Sequence, residues 1–189
     1  MRIIGGGAKG RRIHLPKGCQ ARPTSDRIKE MLFNIIQPVR EKYFLDLFAG
    51  SGNVGLEALS RGAAKVVFIE KNSSLVNTIR KHVEDFGFID RCEIIMADAM
   101  RSIRYLGSRG DTYDILFVDP PYQTGLIKET LGYLEKNVLL SDEGILILQH
   151  STRESIQELL SDCYELTDQR RGGDTTLSFC RLNQKEKNN

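Results

Sequence analysis

Asp119-Pro120-Pro121-Tyr122, at the end of the apolar run Ile115 to Val118, combines residue types suited to holding an amino group on a planar ring. An exocyclic base amine is a poor nucleophile because its lone pair is delocalised into the ring. A catalyst must therefore hold its two hydrogens so that the lone pair turns toward the electrophile. The Asp119 carboxylate and the Pro120 carbonyl can accept one hydrogen each. Pro120 and Pro121 fix the backbone, so this geometry is set before the reaction. Tyr122 can stack on the ring, a contact worth about 1 to 3 kcal/mol. Methyl transfer in line to such an amine needs neither a covalent intermediate nor a metal. Asp119 orients the amine and stabilises its developing positive charge, and the last proton goes to Asp119 or to water. A strand-ending turn alone would also explain Asp-Pro-Pro. Its place at the carboxyl end of the fourth core strand favours the chemical reading.

The second constellation is a glycine loop, Asp46-Leu47-Phe48-Ala49-Gly50-Ser51-Gly52, continuing into Asn53-Val54-Gly55. Gly50, Gly52 and Gly55 satisfy G-x-G-x-x-G between a strand and a helix, and Glu70 follows Gly50 by 20 residues. That spacing suits a nucleoside cofactor, with Glu70 accepting from both ribose hydroxyls, and by itself does not separate NAD from others. Asp46 and Asp98 discriminate. Carboxylates stabilise the ammonium and sulfonium of S-adenosyl-L-methionine but repel a pyrophosphate. Asp46, Phe48, Ala49, Gly50, Ser51, Gly52, Glu70, Lys71, Asp98 and Ala99 are therefore the expected cofactor residues. Asp98 could accept from the adenine amine or cap the helix beginning at Ala99, and the two roles are compatible.

Short apolar runs alternating with amphipathic stretches predict an α/β fold with a mainly parallel sheet. Strands are expected at residues 43–47, 65–69, 92–96, 113–118 and 144–149, with helices at 54–60, 74–86, 99–106, 125–136 and 153–160. Two further strands, 164–167 and 175–181, flank the turn Arg171-Gly172-Gly173-Asp174, which makes the last strand run backwards. Before the sheet, residues 2–4 and 11–15 suit a small basic hairpin. A helix capped by Thr24 or Ser25, with Ile28, Met31, Leu32, Ile35 and Ile36 at helical spacing, follows and stops at Pro38.

The chain has 189 residues, 40% hydrophobic and 28% charged, which suits one domain: a basic extension (1–40), a catalytic core (41–182) and a polar tail (183–189). No apolar run reaches membrane-span length and no signal peptide is evident, so a cytoplasmic protein is expected; a monomer is the expected state. The four cysteines form no C-x-x-C pair and the three histidines stand alone in sequence, so no metal is expected. Residues 1–40 hold nine Lys or Arg against two acidic residues, a charge of +7, and the remainder carries −5. A basic arm of this kind suits a polyanion. Arg2, Lys9, Arg11, Arg12 and Lys17 are its expected contacts to nucleic-acid phosphates.

Motifs across nearly the whole chain resemble the small bacterial RsmD-type methyltransferases: Arg2-Ile3-Ile4-Gly5-Gly6, Lys9-Gly10-Arg11, Arg22-Pro23-Thr24-Ser25-Asp26-Arg27, the loop from Asp46 to Gly52, Asp119 to Tyr122, and Gly173-Asp174-Thr175. The resemblance implies a Rossmann-like class I fold, a seven-stranded mostly parallel sheet with a reversed C-terminal strand. It also implies methylation of a guanine N2 in 16S ribosomal RNA, the guanine-966 type, within a small ribosomal subunit whose proteins complete the binding surface. In that family the Arg-Pro-Thr segment borders the cofactor, so Arg22, Pro23 and Thr24 join the cofactor set. Arg22 would face the methionine carboxylate. Asn53 and His150 receive no role. A DNA adenine-N6 methyltransferase would share the Asp-Pro-Pro-Tyr chemistry, but no target-recognition insertion interrupts the core. An NAD-dependent oxidoreductase would leave Asp119 to Tyr122 and the basic arm unexplained. A non-catalytic RNA-binding relative should have lost Asp46, Asp119 or Tyr122, and all three are present.

Overall fold

The structure, a computed structural model, describes residues 1–16 and 24–183. Its strands β1 (Tyr43–Asp46), β2 (Lys65–Glu70), β3 (Cys92–Met96), β4 (Tyr113–Val118), β5 (Leu140–Ser151), β6 (Tyr164–Gly172) and β7 (Thr175–Leu182) lie in the order β3-β2-β1-β4-β5-β7-β6, and the chain divides into two units, residues 1–99 and 100 onward.

The first unit holds α1 (Asp26–Ile35), β1 (Tyr43–Asp46), α2 (Asn53–Ser60), β2 (Lys65–Glu70), α3 (Ser73–Phe86) and β3 (Cys92–Met96). β1 and β3 each pair in parallel with β2, with Leu45 opposite Val67 and Val67 opposite Glu93. β1 and β2 are buried along nearly their whole length, as continuous apolar runs in a sheet covered on both faces should be. α2 packs on β1 and β2 and is buried on every side. That approach needs a glycine: a Cβ on Gly55 would stand 2.2 Å from the Phe68 ring. α3 is delimited by local chemistry. The Asn72 side chain accepts from the Ser74 and Leu75 amides, and Gly87 closes the helix at φ 73°.

Residues 1–13 form the expected basic hairpin, reduced to one antiparallel bridge between Arg2 and Arg12. The buried Ile3 and Ile13 anchor it, and Ser60 holds its turn by accepting from the Ala8 amide at 2.9 Å and donating to the Gly5 carbonyl at 2.6 Å. Gly6 is required there: its φ is +74°, and a Cβ would lie 1.8 Å from the Ser60 carbonyl oxygen. Ser25, rather than Thr24, caps α1. The face that α1 buries includes Lys29 with Ile28, Leu32 and Phe33, whereas Met31 and Ile35 are only half-buried.

The second unit holds nearly all of α4 (Ala99–Ser108), then β4 (Tyr113–Val118), α5 (Leu126–Lys136), β5 (Leu140–Ser151), β6 (Tyr164–Gly172) and β7 (Thr175–Leu182). β5 runs parallel to β4, and β7 runs antiparallel to both β5 and β6. The reversed strand is thus last in the chain but sits inside the sheet, with β6 as the edge. Gly173, at φ 67°, makes the turn between them.

One expected element is absent. Residues 153–160 form turns, not a helix. The Glu154 carboxylate accepts from the Ser151 amide, the Ser151 hydroxyl accepts from the Arg153 amide, and a single turn follows in which Leu159 and Leu160 donate to the Ile156 carbonyl. Serine and glutamate groups compete for the backbone at the start of the segment. Ile156 is its one fully buried apolar anchor, so a segment this short lacks the packing that would repay nucleation.

Candidate active site

The expected cofactor residues of the first unit are drawn together by hydrogen bonds around the glycine loop. The Glu70 carboxylate accepts from the Gly50 amide at 2.9 Å through one oxygen and from the Asn72 amide at 2.8 Å through the other. A carboxylate has about four lone-pair sites, so two remain for hydroxyl donors. The Ala49 amide donates to the Ile69 carbonyl, tying the loop to the end of β2. Gly52, at φ 77°, is the N-cap of α2. A Cβ on Gly50 would meet no atom within 4 Å, so this part of the loop faces open space that a ligand can fill. Phe48 is half-buried, Ser51 is buried, and Lys71 is exposed. Asp98 is exposed immediately before α4, and Ala99 is buried in its first turn.

Asp46 is 1% exposed and accepts from the Gly55 amide at 3.0 Å. Burial lifts its carboxyl from 3.8 to about 7; the Gly55 amide opposes the rise and the Glu70 charge adds to it. Because the folded value exceeds the unfolded one, this group stabilises the fold fully below pH 3.8 and loses that contribution as pH rises through about 7. Raising the pH from about 5 to about 8 is therefore expected to lower the Tm of the wild-type protein relative to Asp46→Asn. Melting curves that stay parallel for the two proteins over that range would contradict the assignment.

Thr24 is buried beside this loop, its carbonyl taking the Asn53 side-chain amide at 2.7 Å. Asn53 therefore has a role that its sequence context did not disclose, joining the segment before α1 to the start of α2. Arg22, Pro23 and Lys17 lie outside the described residues.

In the second unit, Asp119 and Tyr122 follow β4 directly and are half-buried, and Pro120 is buried. Gln149, near the end of β5, donates from Nε2 to Asp119 Oδ2 at 3.0 Å and to the Tyr122 hydroxyl oxygen at 3.4 Å. The Tyr122 hydroxyl also bonds the Thr175 hydroxyl of β7 at 3.0 Å. The Pro121 carbonyl accepts from Thr124 at 2.7 Å; among the described residues none donates to the Pro120 carbonyl. The two carbonyls of the pair thus differ: that of Pro121 closes the turn and that of Pro120 does not. Gln149 is 5% exposed and Thr175 7% exposed, so both hold their partners from a dry position.

A family model described as Conserved hypothetical protein 95 matches residues 1–181. Ribosomal RNA small subunit methyltransferase D of Escherichia coli (strain K12) is 37% identical over 157 residues, 82% of this chain and 77% of that protein. This chain belongs to the RsmD-type methyltransferases. They are class I enzymes that use S-adenosyl-L-methionine. A hypothetical protein of Thermus thermophilus superposes with a TM-score of 0.83 at 29% identity, covering 96% of this chain and 99% of that one. TrmN of Thermus thermophilus shares the fold alone, with a TM-score of 0.67 at 21% identity over 82% of this chain and 48% of its own.

Gln149 and Thr175 of this RsmD-type chain, which bond Asp119 and Tyr122, had no assigned role in the sequence. A signal for Gln149 existed: a polar residue closing the apolar run Ile145 to Leu148 must find a partner where the strand ends. His150 is structural, its ring bonded at 2.9 Å to the Ser151 carbonyl oxygen and at 2.8 Å to the Ser178 hydroxyl. Burial pushes its pKa down, which keeps it neutral.

The basic arm is less uniformly a solvent face than its charge count implied. Arg2 pairs with Asp26 at 3.0 Å, and Lys29 is wholly buried against Glu57 at 3.5 Å. Lys9, Arg11 and Arg12 are exposed, with the Arg11 guanidinium 4.5 Å from the centre of the Phe86 ring. No helix among the described residues is long and apolar enough to cross a membrane.

Proposed function

We propose that this protein methylates the exocyclic N2 of a guanine in small-subunit ribosomal RNA, the guanine-966 type, acting in the cytoplasm as a monomer on RNA carried by an assembling or assembled subunit, where ribosomal proteins complete the contact. The observation that carries the reading is the Gln149 bond to Asp119. It holds a carboxylate beside two prolines and an aromatic ring, in a chain of a methyltransferase family. A carboxylate can accept from more than one donor at once, so sharing with Gln149 is compatible with holding an amine hydrogen. The named activity of the Escherichia coli relative supports small-subunit ribosomal RNA as the substrate.

The first unit fits the cofactor. Asp46 is a buried carboxylate that has no ion-pair partner among the described residues and a raised pKa, which is where an ammonium or sulfonium is favoured. Glu70 has lone pairs left for ribose hydroxyls, and Gly50 borders open space. Asp98 and Ala99 would border the adenine, and Arg22 to Thr24 the methionine end. S-adenosyl-L-methionine supplies, when bound, an electrophilic methyl group on sulfur. Asp119 and the Pro120 carbonyl each take one hydrogen of the guanine amine, which turns its lone pair out of conjugation. Asp119 also stabilises the positive charge that develops on nitrogen. Tyr122, its hydroxyl held by Thr175 and Gln149, gives the base a fixed face to stack on. The target guanine must leave its stack to reach Tyr122, which costs less in a loop than in a helix.

Gln149→Leu should then lower kcat up to about 100-fold through a misaligned Asp119. The affinity for S-adenosyl-L-methionine should stay unchanged. A kcat within about twofold of wild type would remove Gln149 from the positioning of Asp119.

Transfer of labelled methyl to 16S ribosomal RNA, to 30S particles and to DNA, followed by nucleoside analysis, tests the whole reading. N2-methylguanosine from ribosomal RNA or particles is the expected product. N6-methyladenine in DNA would replace it with the DNA enzyme.

A further inference from the structure

Outside the cofactor and acceptor residues, the arm and α3 enclose a cleft of about 510 Å³. Arg11, Arg12 and His14 line it from the arm, and Lys81, Asp85 and Phe86 from α3. Among the described residues, no ion pair neutralises Arg11, Arg12 or Lys81, so the lining carries three cations against one carboxylate. Its volume lies in the range of about 300–1,000 Å³ that suits a small ligand or one unit of a larger one.

The walls are held in place. The His14 backbone amide donates to His82 Nε2 at 3.1 Å, which keeps that nitrogen unprotonated. The His14 and His82 rings stack at 6.3 Å, His82 meets Phe86 at 5.6 Å, and Arg11 lies on the Phe86 ring. α3 is capped at both ends, so Lys81 stands on a rigid helix. A site already assembled in this way loses little entropy on binding. A guanidinium lying on a ring keeps N–H edges for a phosphate, and the exposed His14 adds a face on which a base can stack. Cations on two converging segments with aromatic rings between them suit a nucleotide better than a carboxylate side chain, which has no use for the rings.

We infer that this cleft seats one phosphodiester-linked nucleotide of the substrate RNA, apart from the guanine that is methylated. The inference rests on the RNA methyltransferase reading and deepens it: recognition extends beyond the arm to α3, through Lys81.

The test is fluorescence anisotropy with a labelled RNA hairpin carrying a guanine-containing loop, across a salt series. It compares the wild-type protein, Lys81→Glu and the charge-matched Lys128→Glu on the exposed face of α5. Lys81→Glu is expected to weaken binding about tenfold and to reduce the slope of log affinity against log salt by about 0.7, one single-strand phosphate contact. Lys128→Glu should change affinity less than about twofold. Equal effects of the two substitutions, or an unchanged slope for Lys81→Glu, would overturn the inference. Adding inorganic phosphate at constant ionic strength should leave the difference between wild type and Lys81→Glu in place. Its disappearance would make the cleft a site for a free anion and would also overturn the inference. Failure of the wild-type protein to methylate RNA would refute the proposed reaction, whereas the ratio of the two RNA affinities still reads the cleft.

Discussion

Asp119→Ala should lower kcat by about 10³-fold or more, while the dissociation constant for S-adenosyl-L-methionine stays within about threefold of wild type. The asymmetry follows from where the residues lie. Asp46, the loop from Phe48 to Gly52 and Glu70 belong to the first unit and are braced by Ile69, Asn72 and Gly55. Asp119 belongs to the second and is braced by Gln149. In the proposed reaction, losing its carboxylate removes the acceptor that turns the amine lone pair outward and the charge that stabilises the nitrogen as the bond forms. Both effects are strongest in the transition state, so the loss falls on kcat. Single-turnover rates together with calorimetric titration of the cofactor separate the two quantities. Loss of cofactor binding in this variant would mean that the two sets of residues are not divided between cofactor and acceptor as assigned.

Glu57→Ala is expected to cost about 3–5 kcal/mol of folding stability, a large share of the roughly 5–15 kcal/mol available to a domain. Glu57 sits in α2 with no exposed side-chain surface. One oxygen accepts from the Ile4 amide at 2.8 Å and lies 3.5 Å from Lys29 Nζ, and the other accepts from Arg61 Nε at 2.8 Å. Burial pulls the Lys29 pKa down, and the charges of Glu57 and Asp26 push it back up. Without Glu57, a buried ammonium keeps the half-exposed Asp26 and the Arg2 carbonyl as partners, and the Ile4 amide loses its acceptor. Breaking one side of a buried pair is costly because the remaining charge stays out of water. Lys29→Met combined with Glu57→Gln should recover part of the loss by removing that charge. Urea denaturation of the single and double variants reads both effects. A loss under about 1 kcal/mol for Glu57→Ala would deny the network a structural role.

How much of this could be read from residue types varies along the chain. β1, β2 and β4 stand out because a strand buried on both faces must be an unbroken apolar run, and α3 because its apolar residues recur at helical spacing between Asn72 and Gly87. Residues 153–160 carry isoleucine and leucine at a spacing that also fits a helix, yet serine and glutamate side chains satisfy the backbone locally and the segment turns instead. In α1, periodicity selected Met31 and Ile35 as inward-facing, while the helix buries Lys29. A lysine is placed inside only where an acid waits for it, and Glu57 lies 28 residues away.

The chemical groups themselves were determined by the sequence: the carboxylates at Asp46, Glu70 and Asp119, the glycines that let the loop turn, the rigid Pro120-Pro121 pair and the aromatic ring at Tyr122. These follow from local composition and short spacings, because each motif spans a few residues and its geometry is largely backbone geometry. The partners that give those groups their properties were decided only by the tertiary structure: Gln149 and Thr175 against Asp119 and Tyr122, Asn53 against Thr24, Glu57 against Lys29, and the burial that raises Asp46. Such partners meet across tens of residues, and a hydrogen bond or a desolvation penalty depends on distance in space, which residue order does not record.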